Sequence, residues 1–481
     1  MVTGILLASA LSTTAASITA APPSPQPRTP ACVVKPVDFK GWKAQELSNA
    51  WVTLIVVPQI GGRLMQVTFG GHDYLFVNEQ LKGQAHAPEV SAAQRKWFNY
   101  GGDKLWPMPE GSDNEQQWAS AVGSVLDSGA FSFEVISRGA TCAVRMVSPP
   151  DPQVGLEYTR EIAIDRDTPE IRFSAIMKNV TGYPLRWSVQ SVTQYDAADP
   201  KNPADYNHDF WGFTPAHPRS EYLNGYHVRT GQASNSAYAI RDDLFTLHFG
   251  DQGGEVWIDS PGGWIAVADG ATGYAMVERF HYERTAEYPG KGTVIFYTTG
   301  LPRPPRTPPP GDVALGAPPR QPIYYIEAEI NSPMVDLAPG ERYTMRTEWF
   351  PARMGRAFKT ATYAAVVSQP LTVTATAPNP GQNPAQQNAP AASAPRSLAF
   401  AGEFGVFFAG RLVARFYDRE GLALGAAPLI EVNPLQPVVL QTTVPAPAET
   451  ARVSVHLIDS NSLDRGPLGE ATVALLPTVA K

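Results

Sequence analysis

The chain has no excess of positive charge, and this limits the partners it can bind. Its 481 residues carry 38 Lys and Arg against 45 Asp and Glu, which gives a formal net charge of −7. A protein that binds nucleic acid needs a basic stripe to neutralise phosphates, and none is present. We therefore expect no nucleic-acid partner.

Long apolar segments are also scarce. After the first residues of the chain, no apolar run approaches the roughly 18 residues that a spanning helix needs. We expect no membrane span once an N-terminal signal is removed.

Several catalytic and binding motifs are missing. The sequence contains no metal-ligand spacing, no phosphate-cradling glycine loop, no Gly-x-Ser-x-Gly elbow and no internal repeat. We predict neither a metal nor a cofactor.

The residues that are abundant indicate an all-β protein. The chain has 46 prolines, 40 glycines and many short runs of β-branched and aromatic residues, which are typical of strands joined by turns. Its length and its 43% hydrophobic content are enough to bury a large core, in two or three domains.

The N-terminus predicts export to the periplasm or the medium. Residues 1–21 resemble a signal peptide, with an apolar segment from Gly4 to Leu11 and small residues before Pro22, although no Lys or Arg precedes the apolar segment. Residues 22–41 are interpreted as a flexible leader. In an oxidising compartment Cys32 and Cys142 would form a disulfide, and two buried free thiols are the alternative.

The rest of the chain divides into two β regions. Residues 42–375 show repeated strand patterns and are predicted to form the main domain. A proline-rich insertion follows Leu301, and residues 376–397 read as a low-complexity linker. The short strand patterns of residues 398–481 predict a small β-sandwich. We interpret it as an accessory module, because it has no cluster of catalytic residue types.

The strand from Ile323 to Ile330 carries the strongest candidate site. At period two, Ile326, Ala328 and Ile330 share one face, and Tyr325, Glu327 and Glu329 share the other. Carboxylates two residues apart on a strand point the same way, with Cα atoms roughly 6.5–7 Å apart. This pattern predicts either a strand that lines a cleft or a solvated edge that carries acids.

Three other stretches add polar candidates. Asn99 to Glu110 places Asp103, Lys104 and Trp106 together, which suits a polyol ligand or a rigid surface corner. The strand from Arg186 to Tyr195 aligns Arg186, Ser188, Gln190 and Gln194 on one face, which lines a cleft or is a solvated sheet face. In a later strand, Arg279 and His281 share a face.

Four motifs in order resemble the galactose mutarotase-like (aldose 1-epimerase-like) β-supersandwich superfamily. They are the strand–Gly-Gly–strand unit from Val52 to Phe69, Asn99-Tyr-Gly-Gly-Asp-Lys-Leu-Trp-Pro-Met-Pro, Glu287-Tyr-Pro-Gly-Lys-Gly-Thr-Val, and Ile326-Glu-Ala-Glu with Leu337-Ala-Pro-Gly-Glu341. The Gly-Gly-x-x-Leu-Trp-Pro segment is most similar to that of an uncharacterised bacterial branch. The resemblance covers Lys43 to Arg353.

The resemblance implies a large antiparallel β-supersandwich with a sugar cleft on its concave face. Glu327 matches the glutamate that takes the proton from the anomeric hydroxyl, but Gln190 falls where the family has its acid histidine. Because an amide cannot donate and recover a proton as imidazole does, either His281 or Lys104 replaces that histidine or the domain does not interconvert anomers.

Three hypotheses follow. The first is an exported carbohydrate-binding protein with a mono- or oligosaccharide ligand, contacted by Asp103, Lys104, Trp106, Arg186, Gln190, Arg279, His281, Glu327 and Glu329. The second is an aldose epimerase, glycan hydrolase or lyase with Glu327 as base and His281 or Glu329 as its partner. The third is a non-catalytic structural protein of the envelope. The oligomeric state is left open.

Overall fold

The computed structural model describes residues 31–114, 116–301, 322–355, 357–376 and 396–473. Helix is confined, in these residues, to α1 (Pro88–Gln94), α2 (Val125–Ser128) and a 3-10 turn at Pro289–Lys291. The remainder is strand, turn and loop, so the all-β prediction is confirmed. No helix in the described part of the chain combines the length and the apolar character needed to cross a bilayer.

The strands of the first half are β1 Val33–Phe39, β2 Trp42–Ser48, β3 Val52–Val57, β4 Arg63–Phe69, β5 His72–Asp73, β6 Asp103–Met108, β7 Ser132–Ser137, β8 Thr141–Val147, β9 Leu156–Asp165, β10 Ile171–Asn179, β11 Leu185–Asp196, β12 Ala198–Asp199, β13 Asn202–Tyr206, β14 Phe210–Pro215, β15 His227–Thr230 and β16 Tyr238–Arg241.

The strands of the second half are β17 Leu244–His248, β18 Gly254–Ile258, β19 Trp264–Asp269, β20 Tyr274–Phe280, β21 Val294–Thr298, β22 Tyr325–Asn331, β23 Val335–Leu337, β24 Arg342–Arg353, β25 Thr360–Ala361, β26 Ala365–Ala375, β27 Arg396–Val406, β28 Gly410–Tyr417, β29 Ala423–Val432, β30 Val438–Ala446, β31 Arg452–Asp459 and β32 Asp464–Thr472.

Two large antiparallel sheets form the main body. Sheet 1 has the order β1-β2-β3-β4-β6-β11-β22-β21-β18-β15, with β5 on β4 and β23 on β11. Sheet 2 has the order β16-β17-β14-β19-β20-β24-β10-β9-β8-β7. The predicted large antiparallel sandwich is therefore confirmed.

The two sheets face each other across one hydrophobic core because their strands alternate apolar and polar residues. In β9, for example, every second residue from Leu156 to Ile164 is buried, while the residues that alternate with them are half-exposed. The same core takes Leu54, Val67 and Ile326 from sheet 1. Each sheet thus has an inner face toward this core and an outer face away from it.

A smaller sandwich of two four-stranded sheets follows, with the orders β25-β26-β27-β30 and β29-β28-β31-β32. It shares a second core with the outer face of sheet 2, where Val277 and Phe350 pack with Phe407 and Leu412. Strand β26 pairs with β27, so residues 360–375 belong to this module. The predicted boundary at residue 376 is therefore too late in the chain.

The predicted leader also needs correction. Strand β1 lies within residues 22–41 and pairs with β2 along its whole length, so this part of the leader belongs to sheet 1. The predicted signal peptide, the proline-rich insertion after Leu301 and most of the predicted linker lie outside the described residues. The two cysteines form a disulfide, with Cα atoms 5.8 Å apart, that ties the start of β1 to β8 in sheet 2.

Candidate functional site

The two faces predicted for strand β22 are confirmed. Ile326, Ala328 and Ile330 point into the core between the sheets. Glu327 and Glu329 therefore project from the outer face of sheet 1. Strand β22 lies between β11 and β21, so neither carboxylate is on a sheet edge.

The neighbouring strands bring amides and an ammonium to these carboxylates. Strands β6, β11 and β22 are consecutive in sheet 1, and their register aligns Gln194 with Glu327 and Gln190 with Trp106. We call the resulting group the polar cluster, and its members are Lys104, Trp106, Gln190, Gln194, Glu327 and Glu329.

Glu327 is held by two donors. Its Oε1 accepts hydrogen bonds from Lys104 Nζ at 3.2 Å and from Gln194 Nε2 at 2.7 Å. Lys104 is fully buried and Glu327 is 7% exposed. Burial lowers the pKa of Lys104, while the charge of Glu327 opposes that shift.

Glu329 lies in a different environment. Its Oε2 accepts a hydrogen bond from Gln190 Nε2 at 2.6 Å. Burial, followed by the nearby charges of Glu327 and Glu255, raises the pKa of Glu329 well above its usual range. Glu327 and Glu329 thus share one strand face but differ in their donors, since Glu327 accepts from an ammonium and an amide and Glu329 from an amide.

An aromatic wall stands beside the cluster and is fixed by a buried carboxylate. Asp127, on α2, accepts hydrogen bonds from the indoles of Trp97 at 3.1 Å and Trp106 at 3.0 Å. Its Oδ1 also pairs with Arg63 at 2.7 Å. Lys104 Nζ lies 4.6 Å from the centre of the Trp106 ring, a cation–π distance. Trp106 is half-buried, so part of its ring remains accessible.

Further acids and a tyrosine lie around the cluster. Burial raises the pKa of Glu110 and Glu255, and the charge of Glu327 adds to both shifts. Tyr297 is opposite Glu327 on β21 and is half-buried. The outer face of sheet 1 therefore carries acceptor-rich groups next to aromatic rings. In the described residues, no three His, Cys, Asp or Glu side chains are grouped to hold a metal ion.

Asp103 does not join the cluster, which corrects the expectation that it shares a cleft with Lys104. It lies in strand β6, where neighbouring residues face opposite sides of the sheet. Its carboxylate is fully buried between the sheets, where it pairs with Arg160. It also accepts hydrogen bonds from Ser191 at 3.2 Å and Thr193 at 3.0 Å.

Arg186 lies on the cluster's side of β11 but at the opposite end of the strand. Its guanidinium pairs with Asp336 at 3.0 Å and Glu287 at 2.7 Å. These surface ion pairs occupy the groups expected to bind a ligand.

Arg279 and His281 are separated from Glu327 by the whole sandwich, which corrects the expectation that they act with it. Strand β20 belongs to sheet 2, and Val277, two residues before Arg279, packs against the small module. Both residues line a cavity of about 420 Å³ on the outer side of sheet 2. His281 therefore cannot exchange a proton with a ligand bound at Glu327.

Sequence reasoning left several contributors out of the proposed site. The period of its strand predicts the correct face for Gln194, but the predicted contacts do not include it. Asp127 and Trp97 carry no local signal because they lie in a four-residue helix and a loop. Only the fold brings them beside β6.

Comparisons with known proteins concern the architecture. No family model and no curated protein sequence matches the chain. Among solved structures, the chain is similar to a TPR-domain containing protein from Parabacteroides distasonis, at 13% identity and a TM-score of 0.42, over 64% of this chain and 47% of that one. This chain thus spans about half of that protein.

Two further similar structures are each described as a galactose mutarotase-like protein. The one from Clostridium acetobutylicum is 10% identical, with a TM-score of 0.42, over 67% of this chain and 99% of that one. The one from Lactobacillus casei is 9% identical, with a TM-score of 0.38, over 64% of this chain and 99% of that one.

The fold and the candidate site together define the structural class of the protein. The chain is an all-β protein with a large two-sheet sandwich, a small accessory sandwich and a polar, aromatic cluster on the outer face of one large sheet.

Proposed function

We propose that this is an exported carbohydrate-binding protein and that a mono- or oligosaccharide docks on the polar cluster. The observation that carries the proposal is the position of Glu327. Its carboxylate accepts hydrogen bonds from a buried ammonium and an amide on the outer face of sheet 1. That ammonium, of Lys104, lies 4.6 Å from the centre of the Trp106 ring.

The chemistry of the cluster matches that of a sugar. Sugar hydroxyls both donate and accept hydrogen bonds, and the carboxyl and amide groups of Glu327, Glu329 and Gln190 offer both kinds of partner. The apolar face of a pyranose ring stacks on an aromatic side chain, which Trp106 and Tyr297 can supply.

Export is supported by two features. The N-terminal sequence resembles a signal peptide, and Cys32 and Cys142 are joined in a disulfide, a bond that persists in oxidising compartments.

A second candidate function is proton transfer at the anomeric centre of an aldose. Burial raises the pKa of Glu329, so it can hold a proton. Glu327 would act as base, the role that the resemblance implies, and Glu329 or Lys104 would donate, since Gln190 cannot.

Titration calorimetry with glucose, galactose and their oligosaccharides tests the binding proposal. We expect a sugar to bind and Glu327→Gln to weaken it about tenfold or more, because a hydrogen bond to a charged group is lost. Glu420→Gln, an exposed change in the small module, is the matched control. Failure of every sugar to bind the folded protein would refute the proposal.

Polarimetry on fresh α-glucose and α-galactose tests the second candidate. A rate above the uncatalysed one that Glu327→Gln abolishes would establish epimerisation. Sugar binding without faster interconversion of the anomers would show that the protein binds the sugar but does not epimerise it.

A further inference from the structure

The cavity beside Arg279 is a second polar feature, on the opposite side of the molecule from the polar cluster. Its volume is about 420 Å³. The wall combines sheet 2 with the small module, and the residues used below are Gly262, Arg279, Tyr282, Arg346, Glu348 and Tyr363.

Arg279 is a buried cation whose charge is incompletely matched. It is 8% exposed, its Nη2 donates to the carbonyl of Thr362, and its Nε has no hydrogen-bond partner in the described structure. No carboxylate of the described residues lies within 4.0 Å of it, although Glu348 is its neighbour across the β20–β24 pair. Burial lowers its pKa to about 10, so it stays charged at neutral pH.

Leaving a charge buried without a close counter-ion is costly. The side chain is kept in place by two aromatic rings: its guanidinium lies 4.4 Å from the ring centre of Tyr363 and 5.9 Å from that of Phe350. An arginine fixed in this way presents its remaining N–H donors with little loss of side-chain entropy.

Arg346 adds a second cation to the same wall. It projects from β24 on the face that carries Glu348 and is exposed. None of the ion pairs among the described residues includes Arg346. The two arginines outnumber the single carboxylate of Glu348, so the cavity favours an anion.

Aromatic groups and open backbone complete the cavity. Tyr363 is 75% exposed and Tyr282 is half-buried, so each offers ring surface to a ligand. Gly262 is exposed and contributes only backbone to the lining. An oxyanion attached to a ring matches this combination, because a guanidinium group can bind two oxygens of a carboxylate or a sulfate with two parallel hydrogen bonds.

We propose that this cavity binds the carboxylate or sulfate group of an acidic sugar, with Arg279 and Arg346 as the oxyanion contacts and Tyr363 as the ring contact. The site is independent of the polar cluster.

Titration calorimetry at low salt with glucuronate, glucose 6-sulfate, glucose and inorganic sulfate tests the proposal. It also distinguishes a site for a carboxylate group from a site for a sulfate group. We expect one or both acidic sugars to bind more tightly than glucose and than inorganic sulfate. Binding of glucuronate alone identifies a carboxylate site, and binding of glucose 6-sulfate alone identifies a sulfate site. Equal binding of all four, or of none, would overturn the proposal.

Two exposed variants give effects of opposite sign. Arg346→Gln should weaken binding of the acidic sugar about tenfold or more, because a charge-assisted hydrogen bond is lost. Glu348→Gln should tighten it, because a repelling carboxylate is removed. Arg342→Gln, at an exposed position of the same strand that does not line the cavity, should change nothing. Identical affinities of wild type and Arg346→Gln for the acidic sugar would exclude the site. Binding of a neutral sugar at the polar cluster should be the same in both proteins.

Discussion

Lys104 on β6 donates to Glu327 on β22 across 3.2 Å, although 223 positions separate them in the chain. Strand β11 lies between these strands, and adjacent strands are roughly 4.8 Å apart. The long lysine side chain therefore spans a whole strand to reach its partner. Because both groups are buried, this contact ties three strands of sheet 1 together at the candidate site.

The first prediction concerns this pair. Lys104→Met should destabilise the fold by about 3–5 kcal/mol, because it leaves a nearly buried carboxylate without its counter-ion. The double variant Lys104→Met/Glu327→Gln should lose less than the sum of the two single changes. Urea unfolding measures all three free energies. Strictly additive losses would mean that the two groups do not interact.

The second prediction uses Trp106 as a reporter. A sugar stacked on this half-buried ring should change the tryptophan fluorescence, and Trp106→Phe should reduce that change. Trp211→Phe is the matched control, because Trp211 is a half-buried tryptophan on β14 in sheet 2 that packs against the small module. A signal that persists in Trp106→Phe and disappears in Trp211→Phe would place the sugar elsewhere.

The third prediction concerns Glu278, which is buried between the sheets. Its Oε1 accepts a hydrogen bond from Tyr195 at 2.5 Å, and burial raises its pKa from 4.5 to about 8. Between these two values the folded protein keeps a proton that the unfolded chain has released. The free energy of unfolding should therefore fall as pH rises through this window, by up to about 1.4 kcal/mol per pH unit from this group.

Glu278→Gln should remove that contribution, since an amide does not titrate and can still accept from Tyr195. Urea unfolding from pH 4.5 to 8 compares the slopes of wild type and variant. Glu420→Gln should keep the wild-type slope. Equal slopes in wild type and Glu278→Gln would show that Glu278 has an ordinary pKa in the fold.

The fourth prediction concerns the disulfide between Cys32 and Cys142, which closes a separation of 110 residues. Replacing both cysteines by serine should lower the free energy of unfolding by about 2–5 kcal/mol, because the unfolded chain regains freedom. Reductant should destabilise the wild type and leave the serine variant unchanged. Two titratable thiols in the oxidised, unfolded protein would show that the bond is absent.

The sequence by itself determined the all-β class and the two faces of β22. Both depend on local regularities: residue types that favour strands and turns, and a side-chain period of two that places Glu327 and Glu329 opposite Ile326 and Ile330. Such signals are complete within a few residues, so no knowledge of the rest of the chain is needed.

Only the tertiary structure decided which side chains meet these carboxylates. Lys104, Gln190 and Gln194 reach them because β6 and β11 lie beside β22, and Asp127 fixes Trp106 from a distant short helix. Arg279 and His281 were excluded because β20 pairs into the other sheet. Strand order depends on long-range burial of apolar faces and on hydrogen bonding between distant segments, and neither leaves a trace in the local pattern.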